Sequence, residues 1–177
     1  MAEPEPAQPL HFAAFWGVLG FTAILLQALR HLVPLSLEPI RAGMTTPAVW
    51  AAYALSIAFT GYSEGYRAFQ RVVAPRIVVR ALWLARHPTP VRVALAPLFC
   101  AGFFHTTRRR FITTWAFYPA LVLVIVAVRH LPQPWRGVVD AGVVVGLSWG
   151  ALSILWIFAR ALRGRPPAAS AELPEGS

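Results

Sequence analysis

The sequence predicts an all-α polytopic membrane protein, a bundle of four transmembrane helices with one re-entrant or half-helix segment, and three observations carry that prediction. Hydrophobic residues fill 57% of the 177 positions against 13% charged, with a mean hydropathy of +0.57, a balance too apolar for an ordinary soluble domain. The apolar runs are long and continuous, without the alternation that barrel strands need. The basic residues, all of them arginine, gather in banks at the ends of those runs, as expected of cytoplasmic flanks.

Residues 1–10 (MAEPEPAQPL) are acidic and Pro-rich and are expected to be disordered; lacking a basic n-region, they do not read as a cleaved signal peptide. From 11 to 165 the chain reads as one membrane domain. Its first span covers 11–33, and Pro34 is expected to end it. The second span runs over 47–70, with Pro47 suited to a first helical turn and Thr45 and Thr46 as caps. Small residues, Gly61 and Gly65 among them, recur there every three or four positions and form a packing stripe. Glu64 stands beside that stripe and reads as the lone acid within the long apolar segments, directed into the bundle.

Between 71 and 92 stand Arg71, Arg76, Arg80, Arg86 and Arg92, interspersed with Pro75, Pro88 and Pro90, so no span is expected. An interfacial helix over 75–87 fits better, with Arg76, Arg80 and His87 on one face and Ile77, Val78, Ala81, Leu82 and Ala85 turned to acyl chains. The piece 93–105 (VALAPLFCAGFFH) reaches only about 20 Å as a helix, short of about 30 Å of hydrocarbon. Arg92 precedes it, Pro97 breaks it, and Arg108, Arg109 and Arg110 follow. It therefore reads as re-entrant, leaving and returning on the basic side; a fifth span, lengthened by Arg92 snorkelling, is the alternative. The third span covers 111–128 with a kink at Pro119, and the fourth covers 138–159, where Gly142, Gly146 and Gly150 repeat along one side. Residues 166–177 are expected to be a disordered tail. With the larger arginine banks inside, both termini are expected to be cytoplasmic; arginine without lysine, together with abundant Ala and Pro, suggests a GC-rich bacterial genome and so a bacterial cytoplasmic (inner) membrane.

The net charge of +9 does not imply nucleic acid, because the arginines flank apolar runs and form no independent basic domain. Cys100 is alone, no HExxH helix occurs, and His11, His31, His105 and His130 fall near span ends, so neither a metal nor any other cofactor is expected. No Walker loop, GxSxG elbow or GxGxxG fingerprint is present. What stands out is a candidate polar or anion site at the inner mouth of the bundle: Glu64, Arg67, Gln70, His105, Arg108 and Arg109. Arginine suits bidentate phosphate contact, although the plainer reading takes the same arginines as topological stops and Glu64 as a structural ion-pair partner.

The strings YSEGYRAFQ, APRIVVRALWL and APLFCAGFFHTTRRR, roughly the middle third of the chain, resemble segments of a family of small uncharacterised bacterial integral membrane proteins. The resemblance implies a membrane location and brings no activity; it marks Glu64, Gly65, Tyr66, Arg67, Phe69 and Gln70 for testing. Three functions follow as expectations. The first is a non-catalytic accessory protein or lipid-binding scaffold, with anionic membrane lipids as partners and a protein partner or second copy as a further one. The others are a small transporter with its site at Glu64, and a membrane enzyme acting on a lipid phosphate.

Overall fold

A computed structural model describes residues 12–173, so the expectation for residues 1–10 lies outside the described residues. All of the regular structure among them is helical. Helix α1 spans Phe12–Arg41, α2 Pro47–Thr60, a π-helical segment Gly61–Val73, α3 Ala74–Arg86, α4 Pro90–Ala94, α5 Ala96–Ala101, α6 Arg108–Arg129 and α7 Trp135–Leu162. Three of these, α1, α6 and α7, are long and apolar enough to cross a membrane.

α7 lies at the centre, with α1 and the rod formed by α2 and the π segment on either side. Phe15 meets Phe158 edge-on at 5.1 Å, so the start of α1 touches the end of α7 and the two run antiparallel. The rod instead advances with α7: Tyr53 lies against Gly137, Thr60 against Gly142, Glu64 against Gly146 and Phe69 against Gly150. Glycine on α7 makes this approach possible, since a β-carbon at Gly142 would sit 2.5 Å from Ser56 Oγ and one at Gly150 would sit 2.6 Å from the Phe69 ring. The glycine stripe of the fourth expected span is therefore filled from within the chain.

Pro34 does not end α1. The helix continues through Pro34 and Pro39 to Arg41, because Pro39 is buried against Gly137 and packing there outweighs the amide donors that the two prolines lack. Nor does the chain break between 70 and 75. Residues 47–86 form one continuous rod in which the backbone is π-helical from Gly61 to Val73. Pro75, the expected interruption, stands just past the point where the register changes. The Ala74 amide still donates to Phe69 O five residues back, and the proline needs no partner of its own at the start of α3.

The apolar face of α3 turns inward, contrary to the expected contact with acyl chains. Ile77, Val78, Ala81, Leu84 and Ala85 join Ala13, Ala14 and Val18 of α1 and Ala96 and Phe99 of α5 in the main core. The stretch read as re-entrant consists of α4 and α5 broken at Leu95, and α5 presses on α1 through Cys100 at Gly17 and Pro97 at Gly20. Gly102 ends α5 in the left-handed region at φ 87°, which glycine adopts without strain.

α6 differs from every other long helix, since Thr114 is its one buried residue. It is held mainly near its start, where Trp115 donates to Phe103 O at 3.1 Å and Tyr118 stacks on Phe103 at 4.4 Å. At the opposite end of the bundle, Tyr53 donates to Ser36 O at 2.7 Å in a buried hydrogen bond between α2 and α1. Tyr53→Phe is expected to cost about 1 kcal/mol by removing this buried hydrogen bond between the helices, measured as a lowered unfolding midpoint in detergent.

Candidate functional site

Three polar neighbourhoods stand out, and the six residues singled out in the sequence are divided among them. Glu64, Arg67 and Gln70 lie exposed on the π segment. Glu64 turns its Oε2 toward Gly146 of α7 and forms no ion pair with Arg67 or Arg71 among the described residues. Gln70 accepts a hydrogen bond from Trp149 Nε1 at 2.7 Å, which ties the rod to α7 at the edge of a large cleft. His105, by contrast, stacks against Phe99 and sits beside Trp83, while Arg108 and Arg109 are exposed at the start of α6. Glu64 and His105 thus contact different elements, and the single inner-mouth site expected from the sequence is not assembled.

The cleft is the first neighbourhood. It has a volume of about 850 Å³ and opens between the π segment and the last turns of α7. Its walls carry Tyr66, Trp149 and Trp156, and Arg71, Arg160 and Arg165 rim it with no acidic side chain in the lining. An apolar floor under three guanidinium groups fits an amphiphile with a negative head, because the chain replaces water on the floor and the head meets fixed positive charge. Arg71 is also placed 5.9 Å from the Tyr66 ring centre, which orients it.

The second neighbourhood is built on Arg80, the largest fully buried side chain among the described residues at 0% exposure. Its Nε donates to Phe99 O at 2.7 Å, Nη1 to Ala171 O at 2.8 Å, and Nη2 to Phe104 O and His105 O at 3.0 and 3.1 Å. The guanidinium also lies 4.3 Å over the Phe99 ring. One side chain of α3 therefore ties together α5, the turn before α6 and the C-terminal tail. Burial lowers its pKa to about 10, which keeps it charged at neutral pH. Carbonyl oxygens rather than a carboxylate surround it, so its charge is oriented but not cancelled.

Around that lock the tail is ordered, where disorder was expected from residue 166 onward; residues 174–177 lie outside the described residues. Glu172 reaches Arg76 at 3.1 Å and Arg110 at 3.7 Å, and its backbone oxygen accepts from Thr106 Oγ1 and the Thr107 amide, both at 3.0 Å. Pro- and Ala-rich composition predicts no core for this tail; Leu173 packs against the edge of the main core, and four polar contacts and the Arg80 bond to Ala171 hold the segment before it.

The third neighbourhood includes an acid that the reading of Glu64 as the lone embedded carboxylate overlooks. Asp140 belongs to the first turns of α7, is 5% exposed, and lies 3.7 Å from Arg136 one turn earlier. Its Oδ2 has no hydrogen-bond donor within reach. The signal was present as an acid inside the fourth apolar run, flanked by Arg136 at the spacing of one helical turn. Nearby, Gln133 bridges Glu38 at 2.8 Å and the Gly137 amide at 3.1 Å, closing the end of the bundle where α1, α2 and α7 meet.

Among the described residues no group of three or more potential ligands is placed to hold a metal ion. No family model matches the chain, and neither the curated proteins nor the solved structures include a match to it.

Proposed function

We propose that this protein is a non-catalytic integral membrane scaffold that binds anionic lipid at its basic face. The observation that carries the reading is the cleft between the π segment and α7, where Arg71, Arg160 and Arg165 stand over Tyr66, Trp149 and Trp156 with no acid among them. In this reading the chain lies in a bacterial cytoplasmic membrane with both termini inside, and it crosses four times, through α1, α2 with the π segment, α6 and α7. α4 and α5, five and six residues long, are too short to cross, which favours re-entry over a fifth span. The exposed apolar surface of α6 then faces acyl chains. The cleft falls at the inner leaflet, where anionic headgroups meet the arginine banks.

The test is lipid retention. Native mass spectrometry of gently extracted protein is expected to show bound phosphatidylglycerol or cardiolipin. Changing Arg71, Arg160 and Arg165 to Gln weakens anionic-lipid binding by about fivefold per charge removed. Full retention of lipid by the triple variant, with its fold intact, would reject the reading.

A transporter reading draws on a separate observation, that both Glu64 and Asp140 lie on helices that share the α2–α7 seam. Proton or cation flux through reconstituted protein that disappears in Glu64→Gln supports it, and equal flux with empty liposomes removes it. Lipid-phosphate catalysis is less favoured, because Glu64 and His105 contact different elements.

A further inference from the structure

We infer that the cradle formed by Arg76, Arg110, Thr106 and the Thr107 amide is a second anion site, built for a phosphate monoester and occupied in cis by the C-terminal tail through Glu172. Each part of the cradle is a donor. Arg76 Nη2 and Arg110 Nε face the Glu172 carboxylate, while Thr106 Oγ1 and the Thr107 amide hold the Glu172 backbone oxygen. Thr107 also precedes the first turn of α6, so its amide is among those a helix start leaves unpaired and offers to an anion.

The occupant satisfies this cradle only in part. Arg76 Nη1 and Arg110 Nε are buried and make no hydrogen bond, and Glu172 Oε2 is likewise without a donor in hydrogen-bond range. Two guanidinium groups, those of Arg76 and Arg110, face one carboxylate, which leaves one positive charge uncompensated. A phosphate monoester carries close to two negative charges and presents three acceptor oxygens, so it would use donors that a carboxylate leaves idle. Glu172 is moreover held at φ 49°, a left-handed conformation that favours glycine, which makes the tail a displaceable occupant.

The tail links this cradle to the cleft, because Pro166 and Pro167 form part of the cleft wall and Ala171 and Glu172 fill the cradle. Displacement of Glu172 by a phosphate would therefore free that wall. The inference concerns different arginines from those of the cleft and stands or falls separately from lipid retention there.

Two probes separate the sources of the phosphate: inorganic phosphate added to full-length protein in detergent, and nanodiscs with or without phosphatidic acid. A site filled by its own tail nine-tenths of the time binds a competitor about tenfold more weakly than an open one. Glu172→Gln is thus expected to tighten binding by about tenfold, and adding Arg110→Gln to cancel the gain. A gain with inorganic phosphate identifies a free-phosphate site, and a gain confined to phosphatidic acid identifies a headgroup site; either supports the inference. No gain with either probe overturns it. Because Glu172→Gln could loosen the fold, a second measurement keeps the native tail, with a spin label at Ala168→Cys and the buried Cys100 left unlabelled. Phosphate or phosphatidic acid is expected to mobilise the label, and an unchanged spectrum at saturating probe is equally fatal.

Discussion

Arg80→Met is expected to cost about 3–5 kcal/mol, because buried carbonyls left without a donor cost about 1–3 kcal/mol each, and to lower the unfolding midpoint in detergent. Methionine fills much of the volume, yet it supplies no donor to Phe104 O, His105 O and Ala171 O, while Phe99 O keeps only its bond from the Gly102 amide. A buried carbonyl left without a donor is costly. Arg80→Lys retains the charge but replaces a planar fork with a single ammonium, which cannot reach α5, the turn and the tail together. It is expected to fall between the two, with proteolysis beginning in residues 166–173 because Ala171 is the contact most easily surrendered. Equal stability of wild type and Arg80→Met would show that this guanidinium merely fills space.

How much of this was legible in the residues depends on whether a local pattern or a distant contact decided the outcome. The all-helical class, the helix start at Pro47 with Thr46 as its cap, and the glycine repeat on α7 are local, and the chain displays them as written. Arg80 was not legible in the same way. Its neighbours Arg76 and Arg86 share its composition and spacing, and only the fold-back of α5 and the tail turns one of them into a buried centre. The same holds for Pro34, which punctuates a sequence but is overridden when Pro39 packs against Gly137. The grouping of Glu64 with His105 failed for a geometric reason. Residues 47–86 remain one rod, so α3 carries the turn holding His105 along with it, while Glu64 stays on the α7 seam. Asp140 could have been found, as an acid within an apolar run needs no tertiary knowledge to be noticed.

Gly142→Ala is expected to separate the rod from α7 by a few tenths of an ångström and to destabilise the protein by about 1–3 kcal/mol, the usual cost of overpacking. The added carbon would meet Ser56 Oγ at 2.5 Å, Thr60 Oγ1 at 2.7 Å and, decisively, the Ser56 backbone oxygen at 3.1 Å. The hydroxyls can turn away, but the carbonyl belongs to a helix and moves only with it. Gly61→Ala on the facing rod provides the contrast. There the new carbon meets only Val145 Cγ1, at 3.4 Å, an ordinary contact. Alanine in a helix interior gains about 1 kcal/mol over glycine, so this variant should be neutral or slightly stabilising. Gly150→Ala lies between them, because the obstacle at 2.6 Å is the Phe69 ring, which can swing at the cost of its own packing. Thermal unfolding of the three variants in one detergent should thus rank them Gly61→Ala above Gly150→Ala above Gly142→Ala. If the three were indistinguishable, the α2–α7 seam would be loose enough to absorb a methyl group anywhere, and the close approach at Gly142 would not govern how the rod is seated.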